Sequence, residues 1–171
     1  MSETPVRIFA FDAYAARDRK PSVAGAGIGI EPRHVEAMFA VRAPAAPTAS
    51  GGVETRVLRL GPDEWLVAAM RGTPEISADG FVTDVSHGRA VLRVAGREVL
   101  AVLAKGCALD LDPRVFAVGA CAQTAIAKIN VILDRVAPDA FDIYCPRSYA
   151  GSFWHWLTEA AAEYGCNIEL G

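Results

Sequence analysis

The sequence is poor in the residues that build metal and redox centres. It holds three histidines and four cysteines. Cys107, Cys121, Cys145 and Cys166 stand far apart with no C-x-x-C pair, so no zinc spacing can be assembled. They read as buried free thiols, with neither disulfide nor structural metal. No run of Lys and Arg occurs, and a net charge of -3 offers no electrostatic footprint for nucleic acid or an anionic membrane. No apolar stretch approaches the roughly 20 residues that a membrane helix needs. The start, MSETPVRIFAFDAYAARDRK, lacks a basic region followed by an apolar core. The expectation is a cytoplasmic protein with neither nucleic acid nor membrane as partner. Also missing are a G-x-S-x-G elbow, a P-loop, a Cys and His pair and a carboxylate cluster, so an autonomous hydrolase or kinase has no visible machinery. Gly25, Gly27 and Gly29 form a G-x-G-x-G run, but no strong strand precedes it and Pro32 follows closely, which reads as a glycine turn rather than a dinucleotide loop.

What is present is a core. With 171 residues, 52% of them hydrophobic, the chain makes a single globular unit. Residues 1–52 read as an N-terminal segment and linker: a short apolar start at Val6 to Phe11, a loosely held polar stretch, a strand at Val35 to Val41, and the small-residue run APAAPTASGG over 43–52. Residues 53–171 read as the domain itself. Its organising stretch is Asp84 to Pro113. Phe81 to Val85 is strand-forming, Gly88 turns the chain, and Ala90, Leu92 and Val94 share one face of a second strand while Arg93 faces the other way. Gly96 opens a helix carrying Val99, Leu100 and Leu103, and Gly106 is placed as its left-handed stop.

Two hairpins match without gaps. TRVLRLGPDEWLVAA over 55–69 pairs two strands around Gly61, Pro62 and Asp63, with Val57 set to oppose Trp65. Later, at one constant offset, Arg135 matches Arg59, Pro138 matches Pro62, Asp139 matches Asp63, Phe141 matches Trp65 and Ile143 matches Val67. Such a repeat implies two similar halves in one duplicated α+β domain. The second hairpin runs into a helix from Arg147 to about Tyr164, whereas Gly72, Pro74 and Gly80 exclude a long helix from residues 70–80. That thin segment reads either as a tolerated surface deletion or as leaving a sheet face for a partner to cover. Phe116 to Val136 reads as one strand-like run, and Cys166 to Leu170 closes the sheet. On a wheel of about 100° per residue, the last helix buries Tyr149, Phe153, Leu157, Ala160 and Tyr164, with Trp154 and Trp156 flanking that stripe and His155, Thr158 and Glu159 opposite.

At LGPDEWLVAA (60–69), VTDVSHGRAVLRVAG (82–96), AKGCALDLDPRVFAVGACAQTAIAK (104–128) and YCPRSYAGSFWHWL (144–157) the chain resembles the gamma subunit family of heterotetrameric sarcosine oxidase. The pieces occur in the family's order between about residues 55 and 170. The resemblance extends to the folate-binding domain of aminomethyltransferases, the glycine-cleavage T proteins. It therefore implies an α+β fold, duplicated and mostly antiparallel with packed helices. It implies larger alpha and beta subunits as partners, and FAD, FMN, NAD and tetrahydrofolate on those subunits, with none on this chain. The implied role is assembly without catalytic residues, in a complex that oxidatively demethylates sarcosine to glycine. A free-standing folate-binding or one-carbon transfer protein is the other reading. The chain departs from the family in its shortened 70–80 and its longer linker at 43–52.

Four residues stand out as site candidates. His87 follows Ser86 at a strand end, where an imidazole can hydrogen-bond a ligand, yet a histidine without a second acid-base group nearby is usually structural. Asp110 falls where the transferases carry an acidic residue, but it sits in a turn with Asp112 and Pro113 that wants short acids regardless of chemistry. Trp154 and Trp156, beside the apolar face, read first as core margin and are the candidates for partner contact, because tryptophan is so often an interface anchor.

Overall fold

The computed structural model describes residues 9–19, 24–52 and 54–170. Along the chain lie helix α1 (Asp12–Asp18), strands β1 (Ile28–Arg33), β2 (Ala37–Arg42) and β3 (Thr48–Ser50), the hairpin of β4 (Thr55–Gly61) and β5 (Glu64–Ala69), then β6 (Glu75–Ser77) and β7 (Phe81–Asp84). They are followed by β8 (Arg89–Ala95), helix α2 (Val99–Ala104), β9 (Cys121–Ile126), β10 (Ile129–Ala137), β11 (Ala140–Pro146), helix α3 (Ala150–Ala161) and β12 (Cys166–Ile168). Six strands form one sheet in the order β12-β1-β8-β11-β10-β9, and four form another in the order β4-β5-β2-β7. A small ribbon pairs β3 with β6. All these pairings are antiparallel except β1 with β12.

Side-chain alternation along the strands sorts the residues into layers. Leu92, Val94, Leu133, Phe141 and Ile143 project to one side of the six-stranded sheet and are covered by Val102, Leu103, Phe153 and Leu157 of the helices. From the other side Val91, Ile132 and Tyr144 meet Met38, Leu58, Leu66 and Ala68 of the four-stranded sheet. Beyond that sheet, Val41 and Val67 are covered by Ala49 and Ile76 of the β3–β6 ribbon.

The two halves agree down to their pairing register. In the first hairpin Val57 faces Val67, Arg59 faces Trp65, and a bulge before Gly61 closes it against Glu64. In the second, Leu133 faces Ile143, Arg135 faces Phe141, and a bulge before Ala137 closes it against Ala140. Strand β2 lies beside β5 as β8 lies beside β11, with Arg42 on Glu64 corresponding to Ala95 on Ala140. The outer neighbours are β7 on β2 and β1 on β8, both antiparallel. What differs is the cover: α2 and α3 follow the strands of the second half, and only β3 and β6 follow those of the first.

Several expectations need correction. Within the N-terminal segment, Ile28–Arg33 form an interior strand of the six-stranded sheet where no strand is expected, and Thr48–Ser50 of the expected linker at 43–52 pair with β6, whereas the strand expected at Val35 to Val41 is β2. The reading of Val6 to Phe11 lies outside the described residues except at Phe9 to Phe11, of which Phe11 is core. Val57 faces Val67 rather than Trp65, because the two-residue turn at Pro62 and Asp63 centres the hairpin later than a turn around Gly61 would. Phe116 to Val136 is not one strand, since Ala127 and Lys128, at φ of 51° and 66°, turn β9 back on β10. Gly106 is not left-handed; a Cβ there would lie 2.5 Å from the Trp156 ring, so its need for glycine is packing. Tyr149 is exposed rather than buried. The buried face of α3 is instead wide enough to take in Trp154, because α1 packs on that flank.

Candidate functional site

One register across the six-stranded sheet carries charge where its neighbours carry aliphatic groups. Asp134 of β10 faces Asp142 of β11, Asp142 faces Arg93 of β8, and Arg93 faces Glu31 of β1. These positions are two residues from Ile132, Tyr144 and Val91, so they look into the space between the sheets. From the opposite sheet, Arg56 reaches Asp134 through two hydrogen bonds, Nε to Oδ2 at 2.7 Å and Nη2 to Oδ1 at 2.6 Å. Arg93 grips Asp142 in the same fork, at 2.7 and 2.8 Å, and Arg33 donates to Glu31 at 2.9 Å. Asp134 is fully buried and Asp142 nearly so. Hydrogen bonds to the carboxylates, set against burial, hold Arg56 and Arg93 above the usual arginine pKa. A cavity of about 200 Å³ opens beside these groups, lined among others by Arg33, Thr55, Arg56 and Arg93.

The arrangement binds charge without moving protons. Arginine does not titrate near neutrality, and both aspartates have their oxygens engaged by guanidinium forks. The hydroxyl of Tyr144 is buried among them with no hydrogen-bond partner among the described residues, and burial together with the carboxylates of Asp142 and Asp134 pushes its pKa far up, so it stays protonated. The Cys145 thiol is pushed up to about 12 and that of Cys166 to about 11, both chiefly by burial, which removes their nucleophilic forms. Among the described residues no group of three or more His, Cys, Asp or Glu is placed to hold a metal ion.

The four sequence candidates do not meet in one site. His87 is exposed in the turn at 86–88, and it is Ser86 that ties this turn down, its Oγ accepting from the Met38 N–H at 2.9 Å. Asp110 is exposed and accepts from the Asp112 N–H at 2.9 Å, shaping the chain reversal. That loop is held from within by Arg135, whose guanidinium donates to the carbonyls of Leu111, Phe116 and Pro138. Trp154 is 1% exposed, and its Nε1 donates to Asp18 Oδ2 at 2.8 Å. Its surface is therefore consumed within the chain and unavailable to a partner, whereas Trp156 is partly exposed. A folate pocket wants a carboxylate turned toward the pterin ring. Here Asp134 and Asp142 are saturated and Asp110 lies in a turn, so these residues do not fit one. The residues that sequence reasoning passed over are Arg33, Arg56, Asp134 and Asp142. Their signal was a charge inside an otherwise apolar strand, as in ILDRV and FDIY, at positions facing away from the helices.

No helix among the described residues is long and apolar enough to cross a membrane. The model of the sarcosine oxidase, gamma subunit family matches residues 31–163. Sarcosine oxidase subunit gamma of Corynebacterium sp. (strain P-1) is 38% identical over 125 residues, 67% of this chain and 61% of that protein. The subunit of the same name from Corynebacterium sp. (strain U-96) is 36% identical over 118 residues, 64% and 58% of the two lengths. The aligned chain thus spans about three fifths of these relatives. A chain of the heterotetrameric sarcosine oxidase from Corynebacterium sp. U-96, solved with pyrrole 2-carboxylate, superposes with a TM-score of 0.76 at 27% identity, covering 94% of this chain and 97% of that one. Aminomethyltransferase T of the glycine cleavage system from Bartonella henselae shares the fold, with a TM-score of 0.53 at 14% identity over 86% of this chain and 48% of that one. By the family model, which takes in β1 through α3 and both halves of the duplication, the chain belongs to the sarcosine oxidase gamma subunit family.

Proposed function

We propose that the chain serves as the gamma subunit of a heterotetrameric sarcosine oxidase in the cytoplasm, assembling with larger alpha and beta subunits in the oxidative demethylation of sarcosine to glycine. The observation that carries this reading is the near-complete correspondence with a chain of the heterotetrameric enzyme, 94% of one chain against 97% of the other. The ion-pair network is in keeping with it, because a carboxylate locked by an arginine fork is a poor general base. On this reading the chemistry and its FAD, FMN, NAD and tetrahydrofolate belong to the larger subunits, and the partly exposed Trp156 is part of the surface they meet.

The test is reconstitution. The chain purified alone is expected to be colourless and to release no peroxide from sarcosine, with or without added flavin. Co-expressed with the larger subunits of its native host, it is expected to co-purify with flavin absorbance and sarcosine-dependent turnover. Turnover by the chain alone, or failure to co-purify, rejects the reading.

A further inference from the structure

Of the arginines that are buried or half-buried among the described residues, all but one are answered. Arg56 has Asp134, Arg93 has Asp142, Arg33 has Glu31, and Arg135 has three carbonyl oxygens. The exception is Arg89, the first residue of β8, which lies opposite Pro146 at the end of β11. Its side chain is half-buried and makes neither hydrogen bond nor ion pair with any described residue. On one side it borders a small cavity shared with Arg33 and Arg147. On the other it borders an open groove of about 330 Å³ whose polar lining is Gln123, Thr124 and Asn130. Among the described residues no aspartate or glutamate lines either space. Burial lowers the Arg89 pKa, and only the Cys145 thiol opposes it.

A guanidinium withdrawn from water without a counter-charge is destabilising. The groove beside it has the donors for an oxyanion and no competing acid among its described lining residues. Because it is open, it holds a small free anion only at high concentration, whereas a side chain carried on another surface enters it already positioned. We propose that Arg89 is the receptor for a carboxylate presented by one of the larger subunits, an aspartate or glutamate side chain that inserts into the groove and pairs with the guanidinium fork. The proposal rests on the subunit reading above and names the chemistry of one contact within it. Carboxylate geometry matches the two parallel N–H bonds that arginine offers.

The experiment compares the wild-type chain with Arg89→Met and Arg89→Lys, each alone and co-expressed with the larger subunits. Methionine keeps the apolar stem of the arginine and removes the unanswered charge. Arg89→Met alone is expected to melt at or above the wild-type temperature while its affinity for the larger subunits falls by about tenfold to a thousandfold. Arg89→Lys, which keeps the charge without the fork, is expected to fall between. If Arg89→Met melts early and any folded fraction assembles normally, Arg89 is a structural residue and the proposal is overturned. Should the wild-type chain itself fail to assemble, the subunit reading falls, and a second arm still decides the chemistry at Arg89. Sodium acetate against sodium chloride at equal ionic strength is expected to raise the melting temperature of the wild-type chain and not that of Arg89→Met; equal response of both rejects a carboxylate site. Stabilisation by inorganic phosphate alone, without acetate response or assembly defect, also overturns the partner carboxylate.

Discussion

Trp154 shows how one side chain ties the N-terminal segment to the rest. Its indole lies 6.1 Å from the Phe11 ring and 6.4 Å from Tyr14, centroid to centroid, while its N–H is held by Asp18. Removing it opens a cavity between α1 and α3 and strands three partners at once. Trp154→Ala is expected to cost about 3–5 kcal/mol, read as the loss of unfolding free energy in urea. Trp154→Phe keeps part of the packing, leaves a smaller cavity and loses the hydrogen bond, and is expected to fall between wild type and Trp154→Ala, at about 2 kcal/mol. Trp156 rests on Gly106 and Phe153 with part of its ring in solvent, so Trp156→Ala is expected to cost clearly less than Trp154→Ala. A Trp154→Ala chain as stable as wild type contradicts this packing.

At the scale of elements, the turn between β9 and β10 departs from its sequence. Both central residues, Ala127 and Lys128, adopt positive φ, as a two-residue hairpin turn of matching twist requires, and neither is the Asn or Gly that adopts it cheaply. Neighbouring interactions hold it: Ile126 is fully buried and bridges to Cys107, while Ala127 N–H donates to the Gly106 carbonyl. The double change Ala127→Asn with Lys128→Gly removes the strain and is expected to raise stability by about 1 kcal/mol, measured by thermal unfolding. No gain, or a loss, contradicts the left-handed assignment. The same principle works in reverse at the two main hairpins, where the bulges at Arg59 and Arg135 fall at matching places and keep the halves superposable.

At the scale of the molecule, the two sheets are joined by the apolar layer around Leu58, Leu66 and Ile132 and by the Arg56 to Asp134 clasp that crosses it. Asp134 is fully buried, so removing its partner strands a charge in the interior. Arg56→Ala is expected to cost about 3 kcal/mol, toward the low end for a broken buried pair because the Arg56 side chain is 36% exposed. Asp134→Ala in the Arg56→Ala background is expected to recover part of that loss, and a double-mutant cycle on urea midpoints measures the coupling. Additive losses would mean that the clasp contributes nothing between the sheets. The first half carries no counterpart of α2 and α3, and at its edge Phe81 is 80% exposed and Val82 42%. Exposed apolar side chains at a sheet edge are a kind of surface that interaction partners cover.

Whatever depends on local pattern was readable from residues alone. The ungapped match of the hairpins foretold the duplication because a bulge and a turn are set by a few consecutive residues, and the glycines and proline at 70–80 excluded a helix by backbone chemistry. The absence of metal spacings and charge runs bounded the function for the same reason. Tertiary structure decided what depends on distant neighbours. Ile28–Arg33 and Ala37–Arg42 became interior strands of the two sheets, since which strands a segment lies between is set by the tertiary fold and not by its own composition. Trp154 turned inward because α1, far away in sequence, closes over it. Only the folded chain shows which arginines meet acids: Arg56 and Arg93 find Asp134 and Asp142 across strands, and half-buried Arg89 finds no partner among the described residues, since pairing of charges is settled by register and sheet packing rather than by spacing along the chain.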